Sequence, residues 1–230
     1  MVAATRLANR YGLIPPDYGG IYGAGETLTY AAQRLLMSWH PLAREFNRSE
    51  ISKAFPVNGP PPEDDSYQRF LNRQFEDWRL VVDGLVARPS SFSLAELKRY
   101  PSRSQITHQA CEEGWSFIAE WTGVPLSYIL NLTGVLPQAR YVAFFPFDES
   151  WDSLDLADAY HPQTLLAYAL NGEELPPGHG APLRVRVARQ LGYKSVKYLS
   201  RITVTDTLKH FGQGKGSWSP EIGYSWYAGI

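Results

Sequence analysis

The segment Ile106-Thr107-His108-Gln109-Ala110-Cys111-Glu112-Glu113-Gly114-Trp115-Ser116 carries the only cysteine of the 230-residue chain. A lone cysteine is usually a small buried hydrophobe. The neighbours of Cys111 are instead polar, acidic and glycine-bearing, which suits a loop at a cleft. Three chemistries are open to such a thiol. It can be inert, or a nucleophile with His108 three residues away as its base. It can also be the single protein anchor of a redox metal whose remaining ligands belong to an organic cofactor, a task for a soft thiolate. One cysteine excludes an intrachain disulfide and every CxxC zinc or iron–sulfur site.

The elements around Cys111 are short. Ile106 to Ala110 reads as a strand leading into the cysteine. Before it, Trp78 to Val86 reads as two strands joined by a turn at Asp83-Gly84. Ser93-Leu94-Ala95-Glu96 is a capping box that opens a short helix. Thr122 to Leu126 begins another helix, with Pro125 in its first turn and Leu126, Ile129 and Leu130 inward. Tyr141 to Phe147 is an apolar strand, residues 152–159 a polar loop or short helix, and Thr164 to Leu170 runs to a tight turn at Asn171-Gly172. Leu183 to Val187 alternates with period two, so a half-buried strand is expected with Arg184 and Arg186 on its solvated side. Val196 to Leu199 and Arg201 to Thr205 add further strand. Near the start, Leu28 to Met37 reads as a helix capped by Thr27, with Leu28, Ala31, Ala32, Leu35 and Leu36 on its apolar face. Ala54 to Ser66, with three consecutive prolines, is an extended loop. Many short strands with few short helices predict an irregular mixed α+β fold. Residues 1–50 read as an N-terminal extension packing on a domain of residues 51–230.

Composition narrows the function. The formal net charge is -1 and 44% of residues are hydrophobic. A folded globular chain is expected, without the Lys/Arg excess that general nucleic-acid binding needs. No run of 18 apolar residues is present, and no apolar stretch of signal-peptide type follows Met1. There is no GxGxxG after a strand and no GxxxxGK[ST]; Gly212-Gln213-Gly214-Lys215-Gly216 lacks the Walker spacing and reads as a flexible turn.

Six motifs carry a resemblance. They are His108 to Ser116, Glu120-Trp121-Thr122-Gly123-Val124-Pro125-Leu126, His161-Pro162-Gln163-Thr164-Leu165-Leu166-Ala167, Asn171-Gly172-Glu173-Glu174-Leu175-Pro176, His179-Gly180-Ala181-Pro182-Leu183-Arg184 and Gly192-Tyr193-Lys194-Ser195-Val196-Lys197. In order and spacing, from about residue 78 to 205, the chain resembles the molybdopterin-binding domain of the sulfite oxidase superfamily. It is most similar to bacterial members near the periplasmic protein-methionine-sulfoxide reductase catalytic subunit. The resemblance implies a molybdenum–molybdopterin cofactor with Cys111 on the metal; tungsten is open to the same dithiolene chemistry. It also makes Asn58, His179, Arg184, Tyr193, Lys194, Ser195 and Lys197 the residues that hold the pterin and its phosphate. Their chemistry suits that role, since Arg184 offers a planar fork and Lys194 and Lys197 point charges. Taken alone, the same residues read as strand-face, surface and turn groups.

The chain departs from the family pattern after the cysteine. Where eukaryotic and plant sulfite oxidases have Ala-Gly-Asn-Arg-Arg, this chain has Glu112 to Ser116. Glu112, Glu113, Asp148 and Glu149 would repel a dianion, so reduction of an S- or N-oxide is expected ahead of sulfite oxidation, with Arg103 and Arg189 as distant arginines able to reverse that balance. A non-catalytic molybdopterin-binding partner protein is the other reading. With the chain ending at Ile230, a separate electron partner is expected, a membrane cytochrome b or a cytochrome c. The resemblance implies the periplasm; the absence of a visible signal peptide leaves the cytoplasm as the alternative. The aromatic tail Trp218 to Ile230 is expected to pack on the domain or to dock a partner.

Overall fold

The structure, a computed structural model, describes residues 25, 28–34, 42–148 and 150–230. Thr27, Leu35, Leu36, Met37 and Glu149 lie outside the described residues, as does nearly all of the segment before residue 28. Residues 28–34 are helical as expected, but Leu28 is 72% exposed and the buried side chain is Tyr30. The tyrosine packs against Trp226 and Tyr227, while Leu28, Ala31 and Ala32, the described part of the expected aliphatic face, are not buried.

The fold is mixed α+β, as predicted, and its described residues form two five-stranded sheets. The first has the order β2-β1-β10-β5-β6, built from β1 (Arg79–Gly84), β2 (Ser90–Ser93), β5 (Tyr141–Pro146), β6 (Asp152–Asp155) and β10 (Leu199–Thr205). The second has β3 (Arg103–Ala110), β4 (Ser116–Pro125), β7 (Thr164–Leu170) and β8 (Glu173–Glu174) in that order, with β9 (Arg184–Val187) also pairing β7. Short helices fill the connections: α1 (Asp65–Asn72), α2 (Leu94–Leu97), α3 (Leu126–Thr133), α4 (Leu156–Ala159) and α5 (Trp218–Glu221). Asp64 caps α1 by accepting from the backbone N–H groups of Ser66 and Tyr67. The Ser93–Glu96 capping box opens α2. The main core holds Trp78, Leu80 and Val82 of the β1 region together with Ile129 and Leu130 of α3, Phe144 of β5, and Ile202 and Val204 of β10.

Four readings of the chain are corrected. Asp83-Gly84 is not a turn: β1 runs through it, because Asp83 and Gly84 sit opposite Thr203 and Val204 in a parallel pairing with β10. Residues 116–125 are a ten-residue strand, and Pro125 is the N-cap of α3 rather than a first-turn residue; Gly123 lets β4 lie directly against β7, since a Cβ there would come 2.1 Å from the Leu166 carbonyl oxygen. Residues 152–155 form a strand buried along its length rather than a polar loop, while the short helix read as the alternative is present at 156–159 as α4. The strand β9 is buried on both faces, so Arg184 and Arg186 are interior. The Asn171-Gly172 turn joins β7 to β8 with both residues at positive φ, as the dipeptide predicts.

Candidate active site

The cysteine sits at the tip of a hairpin. In the β3–β4 pairing Ala110 is opposite Ser116, and the Cys111 N–H donates to the Trp115 carbonyl at 2.9 Å. The Gly114 N–H returns to the Cys111 carbonyl at 3.1 Å, and its φ of 91° closes the turn. Alternation along β3 buries Gln105, Thr107 and Gln109 and leaves His108 half-buried between them. A residue three positions before another on a strand points to the opposite face. His108 accordingly does not line the cavity that Cys111 faces, and the two are not brought together. Burial is the main force pushing the Cys111 thiol up, to about 11, with Glu112 adding to it.

That cavity has a volume of about 310 Å³. Its wall includes Asn58, Cys111, His179, Arg184, Tyr193, Ser195 and Lys197, seven of the residues proposed from sequence. The Asn58 amide nitrogen lies 3.9 Å from Cys111 Sγ. Gly192 brings the next turn against the cysteine loop: a Cβ on it would stand 2.6 Å from Gln109 Nε2 and 3.0 Å from the Ala110 carbonyl oxygen. Gly180, at φ 107°, does the same for the Lys197 backbone. Lys194 is placed elsewhere. It does not line the cavity but is buried in an ion pair with Asp152, which is a lining residue.

Two arginines define the electrostatics. Arg184 donates to the carbonyls of His179 at 2.9 Å and Ser195 at 2.8 Å. Arg186 donates to the carbonyls of Val187 at 2.8 Å and His108 at 2.7 Å, and to Thr107 Oγ1 at 3.1 Å. Both guanidinium groups lie over the Trp121 ring, at 4.9 and 5.5 Å from its centroid. Among the described residues neither has a carboxylate partner, and each Nε is buried without a hydrogen bond. Burial lowers Arg184 to about 10 and Arg186 to about 9. The same desolvation, then Arg184, lowers Lys197 to about 8 and, with Lys197, His179 to about 4. Lys197 is held by the carbonyls of Asn58 at 2.5 Å and Gly178 at 3.2 Å. A region this rich in uncompensated positive charge is built to receive an anion.

The exposed or half-buried lining includes Glu112, Asp148, Lys197, Trp115, Tyr193 and Trp218, whereas His179, Arg184, Ser195 and Asp152 are buried. Arg103 pairs with Glu45, and Arg189 with Asp158, so neither of these arginines enters the cavity. Residue-by-residue reading missed Gln109, Phe117, Asp152 and Ser219 as lining groups. Gln109 had a usable signal, its two-residue spacing from Cys111 on a strand. Asp152 had none, because its burial depends on the pairing of β6 with β5.

Among the described residues, no three His, Cys, Asp or Glu side chains converge into a metal-binding set. The donor set fits a group that brings its own metal ligands and a phosphate: one thiol, the buried and carboxylate-free Arg184, the half-buried Lys197, and backbone turns between them.

The family model for the oxidoreductase molybdopterin binding domain matches residues 68–211. The chain belongs to this family. It is 35% identical over 197 residues to the "Putative protein-methionine-sulfoxide reductase subunit YedZ1" of Azospira oryzae, covering 86% of this chain and 71% of that protein. It is 36% identical over 147 residues to the protein-methionine-sulfoxide reductase catalytic subunit MsrP of Xanthomonas axonopodis pv. citri, covering 57% of this chain and 46% of that one. Among solved structures, the sulfane dehydrogenase SoxCD of Paracoccus pantotrophus is similar with a TM-score of 0.55 and 28% identity, over 57% of this chain and 39% of that one.

Proposed function

We propose that this molybdopterin-family oxidoreductase binds molybdenum–molybdopterin and reduces an S- or N-oxide. The observation that carries the cofactor reading is the pairing of one cavity thiol with the buried, carboxylate-free Arg184. When bound, the group supplies two-electron oxygen-atom transfer at the metal. Cys111 would give the metal its protein thiolate. Asn58, His179, Arg184, Tyr193, Ser195 and Lys197 would hold the pterin and its phosphate, the arginine by a charge-assisted fork. His179, kept neutral by burial and by Arg184 and Lys197, offers a hydrogen bond without adding charge.

Glu112 and Asp148 on the outer wall support the choice of substrate, because they disfavour a sulfite dianion and tolerate a neutral oxide. Both relatives are named as subunits of methionine-sulfoxide reductases, which supports a sulfoxide as substrate; a separate electron source, a cytochrome b or c, belongs to the proposal on the strength of the resemblance. Residence in the periplasm belongs to the same proposal, on the strength of the resemblance, and cell fractionation tests it. Among the described residues no helix is long and apolar enough to cross a membrane.

Protein from a cofactor-producing host should contain molybdenum and release a fluorescent pterin on oxidation. Steady-state kinetics with methionine sulfoxide, trimethylamine N-oxide and sulfite, with dye donors or acceptors, decide the direction. Efficient sulfite oxidation beside negligible oxide reduction would overturn the substrate assignment; active protein without molybdenum or tungsten would overturn the cofactor.

A further inference from the structure

Oxide reduction consumes two protons for each oxygen released as water, and they must reach a recessed cavity. We infer that Asp152 and Lys194 form a proton-donating pair in the cavity wall, an inference that rests on the reduction proposed above. Among the described residues three carboxylates line the cavity, Glu112, Asp148 and Asp152, and Asp152 alone is buried, at 2% exposure. Its Oδ1 accepts from Lys194 Nζ and from the Ser153 N–H at 2.6 Å. Its Oδ2 is buried without a hydrogen-bond partner among the described residues, with the Ser217 hydroxyl beside the carboxylate.

Lys194 stands behind the carboxylate, 1% exposed, its Nζ 5.2 Å from the Trp226 ring centroid. Two other carboxylates act on it, and both are committed to other partners. Asp155 is held by Arg34 and by the Tyr30 hydroxyl at 2.5 Å. Asp158 is held by Arg189, by Arg34 at 3.2 Å and by the Gln190 amide at 2.7 Å. Among the described residues, Asp152 is therefore the one carboxylate that Lys194 contacts. Desolvation raises the Asp152 carboxyl and lowers the Lys194 ammonium. Both shifts bring the two groups toward a common range in which they share one proton, the condition for efficient general-acid work.

For a sulfoxide the balance is one sulfoxide, two electrons and two protons giving one sulfide and one water. The sulfur–oxygen bond breaks, sulfur gains two electrons from the external donor, and two O–H bonds form. The Lys194–Asp152 pair delivers one proton to the departing oxygen; protons from bulk solvent supply the other and reload the pair.

The test uses the cofactor-loaded enzyme, reduced methyl viologen and methionine sulfoxide from acid to alkaline pH. The variants are Asp152→Asn and the double replacement Asp152→Asn/Lys194→Met, which leaves no lone buried charge. Both should retain molybdenum and pterin and lower kcat on the order of 10²-fold. The wild type should lose rate as pH rises through the apparent pKa of the pair, and the variants should not. In redox titrations the wild-type midpoint potential should fall as pH rises, and less steeply in the variants. Wild-type kcat with an unchanged pH profile in either variant overturns the inference, and so does loss of cofactor from both, which makes the pair structural. If the wild type reduces no oxide at all, the proposed function fails, and the redox titration judges the pair by itself.

Discussion

Replacing Arg184 with methionine separates a cofactor-holding role from a structural one. In the cofactor-free chain the substitution leaves the His179 and Ser195 carbonyls without their donors. Each buried carbonyl left unpaired costs about 1–3 kcal/mol. Against this stands relief from burying a guanidinium that has no carboxylate, a penalty of several kcal/mol, about 2–5 in effective terms. The two effects oppose, so the cofactor-free variant should stay within roughly 4 kcal/mol of wild type. If Arg184 holds the phosphate as proposed, its removal from the loaded protein should cost about 2–5 kcal/mol of binding. At about 1.4 kcal/mol per decade this is a roughly 30- to 4,000-fold weaker hold on the pterin. Thermal unfolding of loaded and cofactor-free samples reads the effect directly. The stabilisation given by loading should shrink by about 4–20 °C for a chain of this size. Equal losses in the two states would refute the reasoning and make Arg184 a scaffold residue.

Other perturbations follow from the same geometry. Cys111→Ser should abolish metal redox activity yet keep much of the pterin, measured by metal analysis and pterin fluorescence, since most holding groups lie elsewhere in the wall. Gly192→Ala should displace the cysteine loop at a cost of about 1–3 kcal/mol, read by chemical denaturation, because its Cβ meets Gln109 Nε2 and the Ala110 carbonyl. His179 binds protons less well folded, at about 4, than unfolded, at about 6.5. Its contribution to stability is therefore present above about pH 6.5 and is lost as pH falls toward 4. Denaturation curves at neutral and mildly acidic pH should show this loss in wild type, and less of it in His179→Gln.

Much of the site was legible because its chemistry is local. The strand before Cys111, the polar turn after it, and the Arg184 to Lys197 stretch each declare themselves within a few residues. What escaped depends on partners distant in sequence. The alternation Leu183 to Val187 looks like a half-solvated strand, and only β7 and the Trp121 ring make both of its faces interior. Lys194 has the type of a phosphate ligand, but Asp152, 42 residues earlier, takes it. Thr122 to Pro125 carries helix-start signals, yet register with β3 and β7 makes it strand. The Asp83-Gly84 dipeptide is a turn signal that the parallel partner β10 overrides.

The pairing of β1 with β10 also sets an order of events during synthesis. Val81 to Gly84 can find Arg201 to Val204 only after the intervening chain has been made. Cys111, His179, Arg184, Ser195 and Lys197 all lie within the loop that this pairing closes. Contacts at such separation form late and slowly compared with hairpins such as β3–β4. The cysteine turn can therefore take shape while the polypeptide is still emerging, whereas the basic wall opposite it is completed only once β10 has been made. Delivery of the proposed pterin group would accordingly wait until β10 has emerged. Arrest or cleavage before β10 leaves the thiol-bearing hairpin without the strand that closes the first sheet.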